Sequence, residues 1–144
     1  MTSCFETNRR VEFCETDMAG IVHFSNYYRW MEQVEHEYFR SLNLTIVNHQ
    51  PNGQTFGWPR VHCSCRFEAP ARYNDELTLK LYVQRIGVKS LTFEVHIFCG
   101  ETRLAKGTMK TVCCVVTEDQ PLQSVEIPKE YLQQLSEFKG KIPT

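Results

Sequence analysis

One amphipathic helix pattern followed by four strand-like runs is the feature that most constrains the fold of this chain. Between residues 27 and 42, apolar side chains recur at three- and four-residue steps, the spacing of one helix face. They are Tyr27, Met31, Val34, Tyr38 and Leu42. The strand-like runs cover about Arg60–Glu68, Glu76–Ile86, Lys89–Phe98 and Arg103–Thr117. Because one helix covers only one face of a sheet, the pattern predicts an α+β fold in which a curved antiparallel sheet wraps around the helix.

Shorter segments complete the predicted order of elements. Alternation of polar and apolar residues over Cys4–Phe13 predicts a first strand, and Ser25 stands where the N-cap of the helix is expected. The segment Asn43–Gly57 holds one proline and two glycines and predicts a loop. Glycine in the short breaks between the later runs predicts antiparallel hairpins, and a short helix is expected near Lys129–Leu135.

Composition indicates one folded domain over residues 1–144. Of these residues, 42% are hydrophobic and 23% charged, and 16 Lys+Arg against 17 Asp+Glu leave a formal net charge of −1. A chain of this length buries roughly 68–70% of the surface of its unfolded form, enough for a core without metal or disulfides. These values exclude a collagen, a coiled coil, a disordered chain and a purely electrostatic nucleic-acid protein.

The sequence predicts a cytoplasmic protein with no membrane or nucleic-acid partner. It holds no apolar run long enough for a signal peptide, and none approaches the ~20 apolar residues of a membrane span. Its seven cysteines are an odd number and lie mostly in apolar strand-like runs. Reduced, buried thiols are therefore expected rather than a disulfide framework.

Positive charge is concentrated in residues 60–110, which hold nine Lys/Arg against five Asp/Glu. Two interpretations stay open at this point. The charges belong either to the solvated polar faces of strands or to a site for a ligand with a few phosphates.

The cysteines and histidines of the strand-like runs do not predict a metal site. Cys63-x-Cys65 and Cys113-Cys114 lack the C-x-x-C spacing of zinc ligands. Residues two apart also share one face of a strand, which explains their spacing without a ligand. We therefore expect neither a metal nor another cofactor.

One segment holds the residues that most directly suggest catalysis. It runs from Glu12 to Glu32 and reads EFCETDMAGIVHFSNYYRWME. It places a carboxylate, Asp17, in a tight turn, followed by Gly20 and the start of the helix. An ionised acid can attack a carbonyl or activate water, and free backbone N–H groups at a helix start can polarise a carbonyl. The alternative is that Asp17 only caps its own turn.

A motif within this segment resembles the signature of the 4-hydroxybenzoyl-CoA thioesterase family. The motif reads Asp17-x-x-Gly20-Ile21-Val22-x-Phe24-x-Asn26-Tyr27-x-Arg29-Trp30. Members of that family have the hotdog fold and hydrolyse acyl-CoA thioesters. The resemblance is dense from Arg9 to about Leu44 and weaker through Lys89-Ser90 and the tail. It implies one long central helix wrapped by a curved antiparallel sheet of about five strands.

The resemblance also implies roles for residues around the helix start. Asp17 falls on the family's nucleophile or general base, and the backbone N–H of Phe24 falls on the group that polarises the thioester carbonyl. Tyr27, Trp30 and Glu32 fall near the acyl group. Three residues depart from the family pattern without removing the aspartate: Cys14, Glu15 and Met18.

Further implied contacts concern the ends of the substrate. Lys89 is expected to contact the phosphates of coenzyme A, with Arg85 beside it and with Arg60 and Arg66 as further candidates. Trp58 is a candidate for the wall of the acyl pocket, although an aromatic residue is as readily part of the core. A sister branch has a tyrosine-histidine pair before its helix, whereas this chain has His23-Phe24, so for His23 substrate contact and simple packing both stay open.

Together these observations predict an acyl-CoA thioesterase that needs no cofactor, since coenzyme A is part of the substrate. The resemblance implies a homodimer or a homotetramer with each site at an interface between two subunits. One alternative is a non-catalytic acyl-CoA-binding protein of the same fold, against which Asp17 argues. Another is a dehydratase acting on carrier-bound acyl groups, whose Asp and His pairing on the helix is not visible here.

Overall fold

A single long helix, α1 (Ser25–Ser41), packs against the main sheet in a computed structural model that describes residues 4–144. Its buried face holds Tyr27, Met31 and Val34, as the apolar spacing predicts. The prediction that Ser25 is the N-cap is wrong. Phe24 precedes the helix, already has helical backbone angles and makes no side-chain cap, so Ser25 is the first helical residue.

The strands form two sheets, and α1 packs against one face of the larger sheet. Within the described residues they are β1 (Phe5–Arg10), β2 (Asn48–His49), β3 (Thr55–Gly57), β4 (Arg60–Phe67), β5 (Glu76–Ile86), β6 (Ser90–Cys99), β7 (Thr102–Val112), β8 (Cys114–Val116) and β9 (Gln123–Ser124). Five of them form the main sheet in the order β1-β5-β6-β7-β4, with every neighbouring pair antiparallel. The other four form a small sheet in the order β2-β3-β8-β9. The predicted curved antiparallel sheet of about five strands around one helix is confirmed.

The ends of several elements differ from the prediction. The first strand stops at Arg10, and a 3-10 turn, Phe13–Glu15, follows it. The long run Arg103–Thr117 is interrupted at Cys113, where the chain leaves the main sheet and continues as β8 in the small sheet. The loop Asn43–Gly57 contains the short hairpin β2-β3, and helix α2 (Lys129–Leu132) is shorter than expected.

Strand β4 lies at the edge of the main sheet. It pairs with β7 rather than with the next strand in the chain, β5, because the segment 68–75 carries the chain across to the other side. No other strand of residues 4–144 pairs with its outer side. Val61 on this strand is 58% exposed, and such an open edge is a template for pairing with another chain.

The core lies between α1 and one face of the main sheet. Along β6, the buried residues Leu91, Phe93, Val95 and Ile97 belong to this core. On β7, a Cβ at Gly107 would collide with the thioether of Met31, so the glycine allows the helix to approach closely.

A search of the described residues for a membrane-spanning helix, by length and hydropathy, finds none.

The cysteines form no disulfide within residues 4–144. Cys113 and Cys114 are buried, as expected. Cys14 and Cys63 are exposed, so the expectation of buried thiols is wrong for these two: Cys14 lies in the surface turn after β1, and Cys63 lies on the open edge strand.

Candidate active site

Asp17 lies in a tight loop between the turn Phe13–Glu15 and helix α1. Its backbone N–H donates to the carbonyl of Ile21 at 2.9 Å, and its own carbonyl accepts the N–H of Gly20 at 3.0 Å. Gly20 has φ +78°, a conformation that glycine adopts without strain. The Asp17 Oδ1 accepts the N–H of Ala19 at 2.8 Å, whereas Oδ2 has no hydrogen-bond partner within residues 4–144. The carboxylate therefore caps its turn with one oxygen, and its other oxygen makes no hydrogen bond to the described part of the chain.

Asp17 opens onto a cleft of about 490 Å³. The residues that line it are Asp17, Ile21, Val22, Phe24, Tyr27, Phe67, Glu68, Ala69 and Pro70. Apart from two carboxylates and one phenol, these side chains are apolar. This volume and largely apolar lining lie within the range of small-molecule binding sites.

The N-terminus of α1 lies beside the same cleft. Phe24 lines the cleft, and in the described part of the chain its backbone N–H has no acceptor. The next N–H, that of Ser25, reaches only His23 Nδ1, at 3.3 Å. A free N–H at the positive end of a helix dipole can stabilise negative charge on a carbonyl oxygen. The residues that line the cleft thus include a carboxylate, Asp17, and the residue just before α1, Phe24.

Tyr27 forms part of the cleft wall. Its side chain is almost fully buried, and its ring lies edge-on to Phe67, with centroids 5.0 Å apart. Burial raises the pKa of the Tyr27 phenol, so the phenol stays neutral near pH 7. The structure places three of the predicted site residues, Asp17, Phe24 and Tyr27, around one cleft.

The two tryptophans lie elsewhere. Trp30 is completely buried, and its indole N–H donates to Glu15 Oε2 at 2.7 Å. Trp58 is buried against Phe39 and Tyr131, with ring centroids 5.8 and 5.7 Å away. Neither tryptophan lines the cleft, so both belong to the core of this chain.

His23 and Glu32 are exposed and outside the lining of the cleft. The His23 Nδ1 lies 2.8 Å from Ser25 Oγ, and its ring rests on Phe24 with centroids 4.7 Å apart. Glu32 accepts a hydrogen bond from Arg60 at 3.1 Å. Arg60 also binds the buried carboxylate of Glu35 with two bonds, of 2.8 and 3.0 Å.

Lys89 and Arg85 lie at the other end of the main sheet. Both side chains are exposed near the β5–β6 hairpin. Phe67 on β4 lines the cleft and pairs with Ala105 on β7, and Ala105 in turn pairs with Ile97 on β6. Ile97 therefore marks the cleft end of β6. The seven steps from Ile97 back to Ser90 span roughly 23 Å at about 3.3 Å each. Within one chain, the two predicted phosphate-binding residues therefore do not meet Asp17.

Three residues in or near the cleft escaped the sequence analysis as site residues: Glu68, Arg103 and Glu15. Glu68 lines the cleft, and Arg103 binds its carboxylate at 2.6 and 3.0 Å. This hydrogen-bonded partner lowers the pKa of Glu68. Glu15 anchors the loop that carries Asp17, and the only signal for it was its departure from the family pattern.

The cysteines of β4 offer no second reactive centre. Burial raises the pKa of Cys63, and it raises that of Cys65 to about 11. Both are therefore thiols rather than thiolates near pH 7, which makes them poor nucleophiles and poor metal ligands. Within residues 4–144, no group of three or more His, Cys, Asp or Glu side chains has the arrangement of a metal site.

Comparison with known proteins identifies similar chains and folds. The model of the thioesterase superfamily matches residues 19–106, a range that includes Phe24 and begins two residues after Asp17. A 4-hydroxybenzoyl-CoA thioesterase from Pseudomonas sp. (strain CBS-3) is 28% identical over 147 residues, covering 92% of this chain and 98% of its own. A 1,4-dihydroxy-2-naphthoyl-CoA hydrolase from Synechococcus sp. (strain CC9605) is 30% identical over 118 residues, or 78% of this chain and 79% of its own. The crystal structure of an Aquifex aeolicus protein superimposes with a TM-score of 0.79 at 30% identity, covering 92% of this chain and 99% of that one.

Proposed function

This chain belongs to the thioesterase superfamily, and from that premise we propose that it hydrolyses an acyl-CoA thioester to a free carboxylic acid and coenzyme A. The observation that carries the proposal is the cleft itself. One largely apolar cleft is lined both by Asp17, which carries a carboxylate, and by Phe24, whose backbone N–H has no acceptor within residues 4–144. A thioester carbonyl is already electrophilic, so these two groups suffice for its hydrolysis.

The proposed reaction begins with the thioester carbonyl oxygen accepting the N–H of Phe24. In one route, Asp17 Oδ2 attacks the carbonyl carbon, the C–S bond breaks, and water then hydrolyses the mixed anhydride. In the other, Asp17 takes a proton from water while the water oxygen attacks the same carbon. In the first route the coenzyme A thiolate takes a proton from solvent, and hydrolysis of the anhydride restores the Asp17 carboxylate with release of a proton. In the second route the C–S bond of the tetrahedral intermediate breaks, and Asp17 passes its proton to the departing thiolate. Both routes leave a carboxylic acid and coenzyme A.

The lining of the cleft supports an apolar acyl group. Tyr27 and Phe67 present aromatic rings to it, and Ile21, Val22 and Pro70 add aliphatic surface. The two named relatives act, by their names, on 4-hydroxybenzoyl-CoA and 1,4-dihydroxy-2-naphthoyl-CoA, both aromatic thioesters. Aromatic acyl-CoAs are therefore the first substrates to test.

We further propose that a second copy of the chain completes the site, in a homodimer or a tetramer built from such dimers. Two β4 edges related by a two-fold axis pair antiparallel, which sets the Arg60 end of one strand beside the Phe67 end of the other. Arg60 lies at the same end of the sheet as the hairpin of Lys89. Pairing would therefore carry the partner's Lys89 and Arg85 toward the cleft end of this chain, where their charges could bind the phosphates of coenzyme A.

The test is thiol release by the purified protein from aromatic, short-chain and long-chain acyl-CoAs. We expect turnover of at least one class, with the free thiol detected by a chromogenic disulfide reagent. Asp17→Asn serves as the matched negative control, because it preserves the shape of the side chain. Tight binding of a non-hydrolysable acyl-CoA analogue without any turnover across the panel would favour the non-catalytic binding protein.

A further inference from the structure

We propose that Glu15 is a positioning residue that fixes the Asp17 loop against the start of helix α1. This inference rests on the proposed function, because Glu15 acts through Asp17 and does not itself line the cleft. Its side chain is only 12% exposed. The mechanism makes no direct use of this nearly buried carboxylate, so its contacts call for a different explanation.

The carboxylate of Glu15 joins three parts of the chain. Its Oε1 accepts the backbone N–H of Glu12 at 2.7 Å. Its Oε2 accepts the indole N–H of Trp30 at 2.7 Å and binds the guanidinium of Arg9 at 3.1 Å. Strand β1, the 3-10 turn and helix α1 are thereby tied to one side chain.

The backbone carbonyl of Glu15 closes the loop that carries Asp17. It accepts the N–H of His23 at 2.9 Å and the side-chain amide of Asn26 at 2.8 Å. Asp17 follows Glu15 by two residues, and Phe24 follows His23 by one. The relative position of the carboxylate and of the oxyanion donor is therefore set at Glu15.

The surroundings of Glu15 leave few alternative partners. Arg9 lies over the Trp30 ring, 4.9 Å from its centroid, and also contacts the Gln33 side chain. Its Nε is already buried without a hydrogen-bond partner. Loss of the Glu15 charge would leave the Arg9 guanidinium with no carboxylate beside Trp30. We therefore expect the loop to shift, and a displacement of about 1 Å in a reacting group can slow a reaction roughly 100-fold.

The test compares Glu15→Gln with Glu94→Gln. Glu94 is a matched control: its nearly buried carboxylate binds His96 at 2.8 Å and Lys106 at 3.2 Å and does not line the cleft. Assayed well below the Tm of each variant, Glu15→Gln should lower kcat by about 10- to 100-fold and change KM by less than about threefold. Glu94→Gln should lower Tm while keeping the kcat of the parent. Trp30→Phe, which removes one donor to Glu15, should lower kcat by about 3- to 10-fold.

Combination with Asp17→Asn separates this proposal from the proposed function. If Glu15 acts through Asp17, adding Glu15→Gln to Asp17→Asn should lower kcat little further, because coupled residues are non-additive. A Glu15→Gln protein with the kcat of the parent and only a lower Tm would overturn the positioning role, as would full additivity with Asp17→Asn. Parent-like turnover in Asp17→Asn alone would instead refute the proposed function.

Discussion

The loop that carries Asp17 and the hairpin that carries Lys89 lie at opposite ends of the main sheet, and both present a charged residue beside a tight turn. The first is fixed by side chains: Glu15, Asn26 and Trp30 hold it against helix α1. The second is held by backbone bonds, such as that from the N–H of Gly87 to the carbonyl of Ser90 at 2.7 Å. Lys89 itself projects into solvent.

This difference separates the two tasks of the proposed enzyme. Bond-making requires groups fixed to within a fraction of an ångström, which several side-chain contacts around a buried anchor provide. Phosphate binding requires charge near the ligand and tolerates a mobile lysine. We therefore expect substitutions in the Asp17 loop to change kcat and substitutions at the hairpin to change KM.

The largest effect is expected from Asp17→Asn. Asparagine keeps the Oδ1 that accepts the Ala19 N–H, so the loop should retain its cap while the charge is lost. We expect kcat to fall by about 10²- to 10⁴-fold as for a general base, and further if Asp17 is the nucleophile, with little change in Tm. Affinity for a non-hydrolysable acyl-CoA analogue, measured by calorimetry, should survive. A small parallel loss of stability and activity would show that Asp17 is only a turn cap.

The contrast also explains which parts of the site the sequence could predict. Asp17, Phe24 and Tyr27 lie within eleven residues of one another, so a local motif contains all three. Glu68, which lines the cleft, directly follows β4, and its partner Arg103 lies on β7. Their proximity depends on a strand order that no local pattern reveals. Trp30 lies on the same helix as Tyr27, three residues later. Tyr27 lines the cleft, whereas Trp30 is buried in the core.

The fold was predictable to a similar extent. The periodicity of α1 and of the main strands follows from side-chain burial, which the sequence records directly. The N-cap prediction was wrong because it relied on residue type, and serine is a preferred N-cap residue. In the structure the Tyr27 N–H donates to the Phe24 carbonyl, so the N-cap is Phe24 and the helix begins at Ser25. The placement of β4 at an edge depends on the connection 68–75. The sequence of this connection does not show whether it forms a hairpin to β5 or crosses to the far side of the sheet.

A second test concerns stability at the hairpin end of the sheet. There the buried carboxylate of Glu35, on α1, binds Arg60 at the start of β4. Glu35→Ala should lower the free energy of unfolding by about 3–5 kcal/mol, because it leaves a partly buried guanidinium without its main partner. Urea denaturation measures the change, with Glu101→Ala in the exposed β6–β7 turn as the control. Equal midpoints for the two variants would show that this pair does not hold the helix to the edge strand.

A third test concerns the edge that is expected to bring the two ends together. Val61→Lys places a charge on the exposed edge of β4, which should oppose pairing with a second copy. We expect the mass from light scattering to fall toward that of one chain, and activity at low protein concentration to drop by about tenfold. Leu122→Lys, at another exposed apolar residue, should change neither property. A monomeric Val61→Lys protein with undiminished activity would contradict a site shared between subunits.

The smallest effect is expected at the hairpin. Lys89→Ala should raise KM for acyl-CoA by about 3- to 10-fold and leave kcat near that of the parent, because a phosphate contact binds ground and transition states alike. Exposed charges are screened by salt, so the difference in KM should shrink as the ionic strength rises. A lower kcat at unchanged KM would assign Lys89 to the chemical step instead.

Mixed assemblies determine whether Lys89 acts on its own cleft or on that of its partner. When subunits carrying Asp17→Asn are combined with subunits carrying Lys89→Ala, action across the interface creates one site with both native residues and one with neither. Such an assembly should therefore have the KM of the parent and about half its kcat, since the second site is inactive. If Lys89 serves its own chain, every site that retains Asp17 lacks Lys89, and all turnover keeps the raised KM. That second result would place the phosphate site and the cleft in the same chain, despite the roughly 23 Å of strand between them.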